Sequence, residues 1–346
     1  MVHSVRGRIL FIAGMGILLL VISLFSLHAG QIPVPVSSVI HDAAGVLGIS
    51  TAGSPLTPEQ AAVFWYIRMP RILVALLSGA ALAAAGAVMQ GVFSNPLADP
   101  GIIGVSSGSS FGAVICIFFG FTSLSMYYMP AFALLGAAAA VLCAVGLTLH
   151  DGKIPPMSLL LAGVAISILL GALTNGLLTF MNEYRLREFL FWMVGGLDYR
   201  RWEHVALAAG PVLAGITVLS LLGRHLNVLS LGEDEARSMG MNIMLYRLIF
   251  LFGASLITAS AVCVSGMIGF VGLIVPHITR LTIGPDHRLL IPCSALTGAV
   301  FLLLCDTLGR IIAPPIEIRV GIMTALLGAP YFLILIRRMR KQGGLA

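Results

Sequence analysis

Long apolar runs, broken at intervals by clusters of charge, glycine and proline, set the first expectation. Uncharged or nearly uncharged stretches cover 9–27, 72–93, 102–120, 129–149, 157–180, 205–223, 246–283, 288–309 and 320–337. Runs of about 20 residues match the roughly 30 Å core of a bilayer, because a helix rises about 1.5 Å per residue. The run 246–283 is too long for one span. Ser265-Gly266 and Gly269 divide it into a seventh helix and a short eighth one ending at "PHITR". The pattern therefore predicts ten spanning helices. It lacks the short alternating strands of a transmembrane barrel.

Local signals sharpen the ends of these spans. Thr57, Pro58 and Gln60 read as an N-cap, a first helical position and the far end of a capping box. The second helix then runs from 58 to about 93, about 54 Å, and its first dozen residues project outside. Residues 181–204 hold four basic and four acidic residues around "FLFWMVGGLD", an external or re-entrant helix ending at Gly195-Gly196. Small residues crowd 78–87 and 134–141, which permits close helix approach in lipid.

Composition excludes the alternatives. The 346 residues are 58% hydrophobic and 10% charged, with mean hydropathy +1.02. A soluble chain of this length could not cover its surface with polar groups. The chain reads as an all-α polytopic membrane protein, one domain over 1–346. The net charge of +6 is concentrated at the ends, in Arg6 and Arg8 and in Arg337, Arg338, Arg340 and Lys341. It places both termini in the cytoplasm, which requires an even number of spans, and is no nucleic-acid signature. Residues 30–60 hold no Lys or Arg, only Asp42 and Glu59, as expected of an external loop. The run 9–27 is long for a signal peptide and is read as an uncleaved first helix. The five cysteines lie in apolar segments without CxxC spacing.

Candidate chemistry sits where charge or punctuation interrupts the runs. "FSNPLADPGIIGVSSGSSFG" (93–112) could be a turn, a ligand site or a docking surface. The alternation of spans puts it in the cytoplasm. There Pro96 and Pro100 break the helix, and Asn95 and Asp99 can cap freed backbone groups. Arg68 and Arg71 share a helix face near the external boundary, either snorkelling to headgroups or awaiting an external anion. Asp306 and Arg310, at i and i+4, form an internal pair, join external docking, or both. "LSLGEDEARSMGMN" (229–242) is predicted as a two-turn cytoplasmic helix. Ser230 and Glu233 form its capping box, Asp234 and Glu235 lie in its first turn, Arg237 at its end and Gly240 at C′. It is an interfacial helix or a docking helix. His277 and His287 lack ligand-like neighbours at metal spacing. The chain also lacks GxxxxGK[ST]; if ATP is used, another chain binds it.

Taken together, six stretches resemble the FecCD or BtuC-like permeases of binding-protein-dependent ABC importers. They are 68–112, "LLLAGVAIS" (159–167), "WMVGGLD" (192–198), 229–242, "GMIGFVGLIVPHITRLTIGPDHRLL" (266–290) and "EIRVGIMTALLGAPYF" (317–332). The resemblance implies ten helices per subunit and a homodimer with a pore at its interface. It also implies two cytosolic ATPases that hold ATP and Mg, an external binding protein, and residence in a bacterial or archaeal cytoplasmic membrane. No cofactor and no metal is expected on this chain, and no catalytic residue. Ser230, Gly232, Glu233, Asp234, Glu235, Ala236, Arg237 and Gly240 map onto the ATPase-coupling segment. Arg68, Arg71 and Arg310 map onto positions that pair with glutamates of the binding protein. Pro156, Met157 and Ser158 fall at the cytoplasmic constriction, and Ser167, Thr174 and Asn175 on the pathway wall. The expected cargo is an iron complex, a ferric siderophore or haem, with cobalamin as the alternative. Pro156-Met157 replaces the small polar residues of the cobalamin permease, and Arg319 stands where many members have Pro. The competing class, an ion-coupled secondary transporter, requires paired intramembrane carboxylates, and apart from Asp306 the spans offer few.

Overall fold

A computed structural model describes residues 5–29, 35, 37–39, 41, 55–150 and 153–341. The expected external loop around Asp42 and the turn residues Asp151 and Gly152 lie outside the described residues, as do the side chains of Arg338, Arg340 and Lys341. The described fold is helical. The elements are α1 (Val5–His28), α2 (Pro58–Val92), α3 (Val105–Phe118), α4 (Tyr128–Thr148), α5 (Pro156–Thr179), α6 (Glu183–Met193) and α7 (Trp202–Leu221). They continue with α8 (Gly223–Leu229), α9 (Glu233–Ser238), α10 (Ile243–Ser265), α11 (Val271–Ile283), α12 (His287–Ile311) and α13 (Val320–Lys341). Seven helices are long and apolar enough to cross a membrane: α1, α2, α4, α5, α7, α10 and α12. The shorter apolar α3, α11 and the Val320–Leu335 part of α13 complete the ten expected from hydropathy.

The boundaries follow local chemistry. At the start of α2, Gln60 N–H donates to Thr57 Oγ1 and Thr57 N–H to Gln60 Oε1, the expected capping box. One turn later, residues Val63–Arg68 widen into a π-turn, which the hydrophobic pattern did not signal. The long run 246–283 breaks at Gly266, whose φ of 72° ends α10. Phe270, rather than Gly269, is the second break point: it takes φ 70° and caps α11. Just after the 205–223 run, Gly223–Leu229 form the short α8.

Helix α2 is the axis of the bundle. It packs against α12, α10, α11 and α7, while α3 packs against α4 and α5. Its small residues explain the central position. A Cβ on Gly86 would collide with the carbonyl of Gly272 in α11, so the two backbones touch where any side chain would separate them. By contrast α1 lies on the outside, mostly against α12, and α5 and α7 leave most of their surface uncovered.

Candidate functional site

The costly charges gather at two opposite ends of the bundle. At one end, Arg71 is 9% exposed and meets three carboxylates. Its Nε lies 3.1 Å from both oxygens of Asp306 and its Nη2 2.9 Å from Oδ1. Its Nη1 donates to Glu317 at 2.7 Å, and Asp198 stands 3.4 Å from Nη2. Asp306 is 1% exposed and also faces Arg310 Nε at 3.6 Å. A buried carboxylate between two guanidiniums is neutralised in place. It does not resemble the free intramembrane acid that proton coupling requires.

Arg68 and Arg310 serve the end of α1. Arg68 Nη1 donates to the carbonyls of Leu27 and His28, and Arg310 to those of Ser26 and Ala29. Two cations thus meet the unpaired carbonyls and negative pole of a helix C-terminus. Their spacing alone left Arg68 and Arg71 as snorkelling groups or as a pair awaiting an external anion, and the family resemblance assigned them, with Arg310, to binding-protein docking. In the folded chain Arg68, Arg71 and Arg310 all have internal partners, because cations this buried need compensation.

Three separated stretches of sequence converge beside Arg71. Gly196 N–H donates to Ser265 O at 2.9 Å, and Gly321 N–H to Gly195 O at 3.3 Å. Residues 194–198, 265–270 and 317–322 therefore meet. Above them opens a cavity of about 560 Å³ lined by Tyr66, Arg71, Asp198, Arg200, Arg201, Glu317, Arg319 and their neighbours. Arg319 Nη1 donates to Phe191 O at 2.7 Å, and its guanidinium carbon sits 4.4 Å above the Phe191 ring. Arg200 donates to Gly196 O at 3.0 Å. Loss of water pulls the Arg200 guanidinium down to about 10, against the opposing pull of Asp198.

At the other end, α9 is the short acidic helix. It has six residues, with Glu233, Asp234 and Glu235 in its first turn and Arg237 in its last. Its C-terminus closes as expected: Gly240, at φ 74°, donates to Arg237 O at 2.9 Å, and Met241 N–H to Ala236 O at 3.1 Å, a Schellman motif. Its N-terminus differs from expectation. The cap is Gly232, at φ 129°, without a side-chain cap bond. Ser230 instead donates its hydroxyl to Asn227 O at 2.8 Å, because it ends the preceding α8. Ala236 is buried, whereas Asp234, Glu235 and Arg237 are exposed.

Arg247, which sequence reasoning missed inside an apolar run, anchors this helix. Its side chain is 5% exposed; Nη2 meets Glu233 at 2.8 Å, and Nη1 donates to Ile154 O at 2.7 Å. Ile154 lies two residues before α5. One guanidinium therefore ties α9 and α10 to the start of α5. The turn after α2 lies at the same end. Asn95 Oδ1 accepts from Leu97 N–H at 2.9 Å, and Asp99 Oδ1 from Gly101 N–H at 2.8 Å. Pro100 opens a 3₁₀ turn, and burial raises the Asp99 carboxyl above its ordinary value. Pro96 precedes it in the same turn, and Ser94 Oγ contacts Ser230 O at 3.4 Å.

Along α5 the expected wall residues divide. Met157, Ser158 and Asn175 are exposed, and Pro156 and Ser167 half-buried. Thr174 is 6% exposed and turns into the subunit. It cannot share an open face with Asn175, since adjacent helical residues point about 100° apart. At the end bearing α9, Asn227 fixes the start of α12. Its Oδ1 accepts from His287 N–H and its Nδ2 donates to Asp286, at 2.8 and 2.7 Å. Among the described residues, no three His, Cys, Asp or Glu converge as a metal site would need.

A family model described as the FecCD transport family matches residues 18–338. The chain is 43% identical over 311 residues to the cobalamin import system permease BtuC of Halobacterium salinarum, covering 89% of this chain and 80% of that protein. It is 41% identical over 278 residues to the hemin transport permease HmuU of Yersinia pestis, covering 80% and 83%. A solved inward-facing conformation of a putative metal-chelate type ABC transporter superposes with TM-score 0.82 at 35% identity, covering 94% of this chain and 98% of that one.

Proposed function

Because the chain belongs to the FecCD transport family of ABC-importer permeases, we propose that it forms the membrane pathway of an ATP-driven importer of an iron complex, a ferric siderophore or haem. Two copies form the pore in the cytoplasmic membrane, with both termini inside. Separate ATPase subunits bind ATP and Mg, and an external binding protein delivers the cargo.

The observation that carries this reading is the Arg247 bridge. A helix bearing Glu233, Asp234 and Glu235 protrudes beyond the spans, and Arg247 links it to Ile154 at the foot of α5. ATP-driven closure of the ATPases pushes on the exposed Asp234, Glu235 and Arg237, and the bridge delivers that displacement to the constriction at Pro156, Met157 and Ser158. Ser230, Gly232 and Gly240 bound the moving unit, and the 95–100 turn lies beside it. Asn175 and Ser167 line the pathway from α5.

Docking of the binding protein is proposed at the opposite end. An external carboxylate reaches Arg71 by replacing Glu317, whose side chain is 40% exposed, while Arg68 and Arg310 keep α1 seated. The experiment is co-purification followed by reconstitution. The chain should retain an ATPase subunit through purification and import cargo only with ATP inside the vesicle. Autonomous, ion-driven uptake would favour the secondary-transporter class. Calorimetry of the cognate binding protein against haem, ferric siderophores and cobalamin decides the cargo.

A further inference from the structure

The cavity above Arg71 has more positive charge than its internal pairing needs. Four guanidiniums line it, those of Arg71, Arg200, Arg201 and Arg319, against two carboxylates, those of Asp198 and Glu317. Arg71 is saturated by Asp306 and Glu317. Asp198 is shared at long range, 3.4 Å from Arg71 and 3.8 Å from Arg319. That leaves an excess of two positive charges on Arg200, Arg201 and Arg319.

These groups are held in place. Arg319 is fixed between the Phe191 carbonyl and the Phe191 ring, with Gly196 beneath it. Arg200 is tethered to Gly196 O. A fixed guanidinium presents paired N–H donors that match a carboxylate bidentately, with little ordering cost on binding. The volume, about 560 Å³, lies in the range that accommodates small molecules, roughly 300–1,000 Å³. Tyr66 and Tyr199, 70% and 92% exposed, stand at its rim as aromatic surfaces for a planar or bulky cargo.

We propose that this cavity is a vestibule that binds carboxylate-bearing metal chelates, with Arg200 and Arg319 gripping the carboxylates and Arg201 adding attraction at the rim. It refines the importer reading and rests on it. It also gives a role to Arg319, which has no counterpart in the Pro-bearing members that the sequence resembles.

The test uses the permease with its ATPase subunits in lipid nanodiscs, titrated with ferric citrate, hemin and cyanocobalamin. The first two carry carboxylates and the third does not. Ferric citrate and hemin should bind, and each should weaken roughly tenfold to a hundredfold in Arg200→Gln and in Arg319→Gln, the loss of a charge-assisted bond. Arg319→Lys should recover part of the loss, and added salt should weaken both ligands. Cyanocobalamin binding should be unchanged by all three substitutions. Arg201→Gln, at an exposed position, serves as a variant with little risk to folding and should weaken both carboxylate ligands severalfold. Absence of binding by both carboxylate ligands, or binding indifferent to all the variants, overturns the proposal. So does a result in which the variants weaken only the binding protein's affinity, since the arginines would then serve a protein carboxylate. ATPase co-purification and binding-protein-stimulated ATP hydrolysis are measured in the same samples. Their failure refutes the importer reading, whereas their survival with absent ligand binding refutes the vestibule alone.

Discussion

Replacing Arg247 by Met removes the bridge between α9 and α5 while keeping an apolar stem of similar length in its place. Two losses must be separated. Ile154 is fully buried, so its carbonyl loses the donor at 2.7 Å, at a cost of about 1–3 kcal/mol. Glu233 is 40% exposed, so water takes over its half of the pair, which is worth less than about 1 kcal/mol. Arg247→Met should therefore destabilise the complex by about 1–3 kcal/mol, and Glu233→Gln by under about 1 kcal/mol. In the double variant the Glu233 change should add almost nothing, because its partner is already gone. The assay is thermal unfolding of the purified permease–ATPase complex in detergent, paired with the ratio of cargo imported to ATP hydrolysed in proteoliposomes. A structural role alone lowers the melting temperature. The relay role also lowers the ratio, because ATP is spent without moving α5, and Glu233→Gln should lower it with little loss of stability. Strict additivity of the two substitutions, together with an unchanged ratio in both, would show that Arg247 neither couples to Glu233 nor relays motion to α5.

Further outcomes follow from other contacts. Gly86→Val should destabilise by about 1–3 kcal/mol or prevent assembly, because its side chain meets the Gly272 carbonyl; an unchanged melting temperature would show that the two helices can part without cost. Arg71→Met leaves Asp306 almost fully buried beside Arg310 alone and should cost about 3–5 kcal/mol, visible as poor recovery of folded complex; Asp306→Asn in the same background should restore part of it. Arg68→Glu and Arg310→Glu should release the α1 end and lower the melting temperature; weakened binding-protein affinity at unchanged stability would show that they face outward instead. The Asp286 carboxyl is held well below its ordinary 3.8, first by its hydrogen bond with Arg288 and then by Asn227. A depressed carboxylate stabilises fully above its unfolded value and loses that contribution as pH falls through the folded one. Asp286→Ala should thus cost about 1 kcal/mol at pH 7, with the gap to the parent closing only well below pH 4, as read by melting curves across pH.

Much of the bundle was legible because lipid imposes a simple rule. Each span needs an apolar run of fixed length, and each break needs glycine, proline or charge. Gly266 and Gly240 announced a helix end and a Schellman turn because a positive φ leaves a mark in residue type. The start of α9 was misplaced for the same local reason. Ser230 fits a capping pattern with Glu233, but α8 extends to Leu229 and takes the hydroxyl for its own carbonyl. Phe270 hid a break because nothing about phenylalanine advertises a positive φ. The least legible features were long-range pairings. Arg71 finds Asp306 across 235 positions and Glu317 across 246, and no spacing rule connects them. Arg247 drew no notice inside an apolar run, because its partners Ile154 and Glu233 lie 93 and 14 positions away. The helical period alone already places Thr174 and Asn175 on different faces, yet only packing shows which of them faces inward.

The most direct measurement is uptake into proteoliposomes holding the chain with its ATPase subunits, with binding protein and a ferric siderophore or hemin outside and ATP sealed inside. Accumulation should require ATP, the ATPase and the binding protein together, should ignore imposed proton and sodium gradients, and should fall sharply when Glu233, Asp234 and Glu235 are replaced jointly in a complex that still assembles. Uptake by the chain alone, driven by an ion gradient, or full coupling in the triple variant, would contradict the assignment of a permease driven through α9.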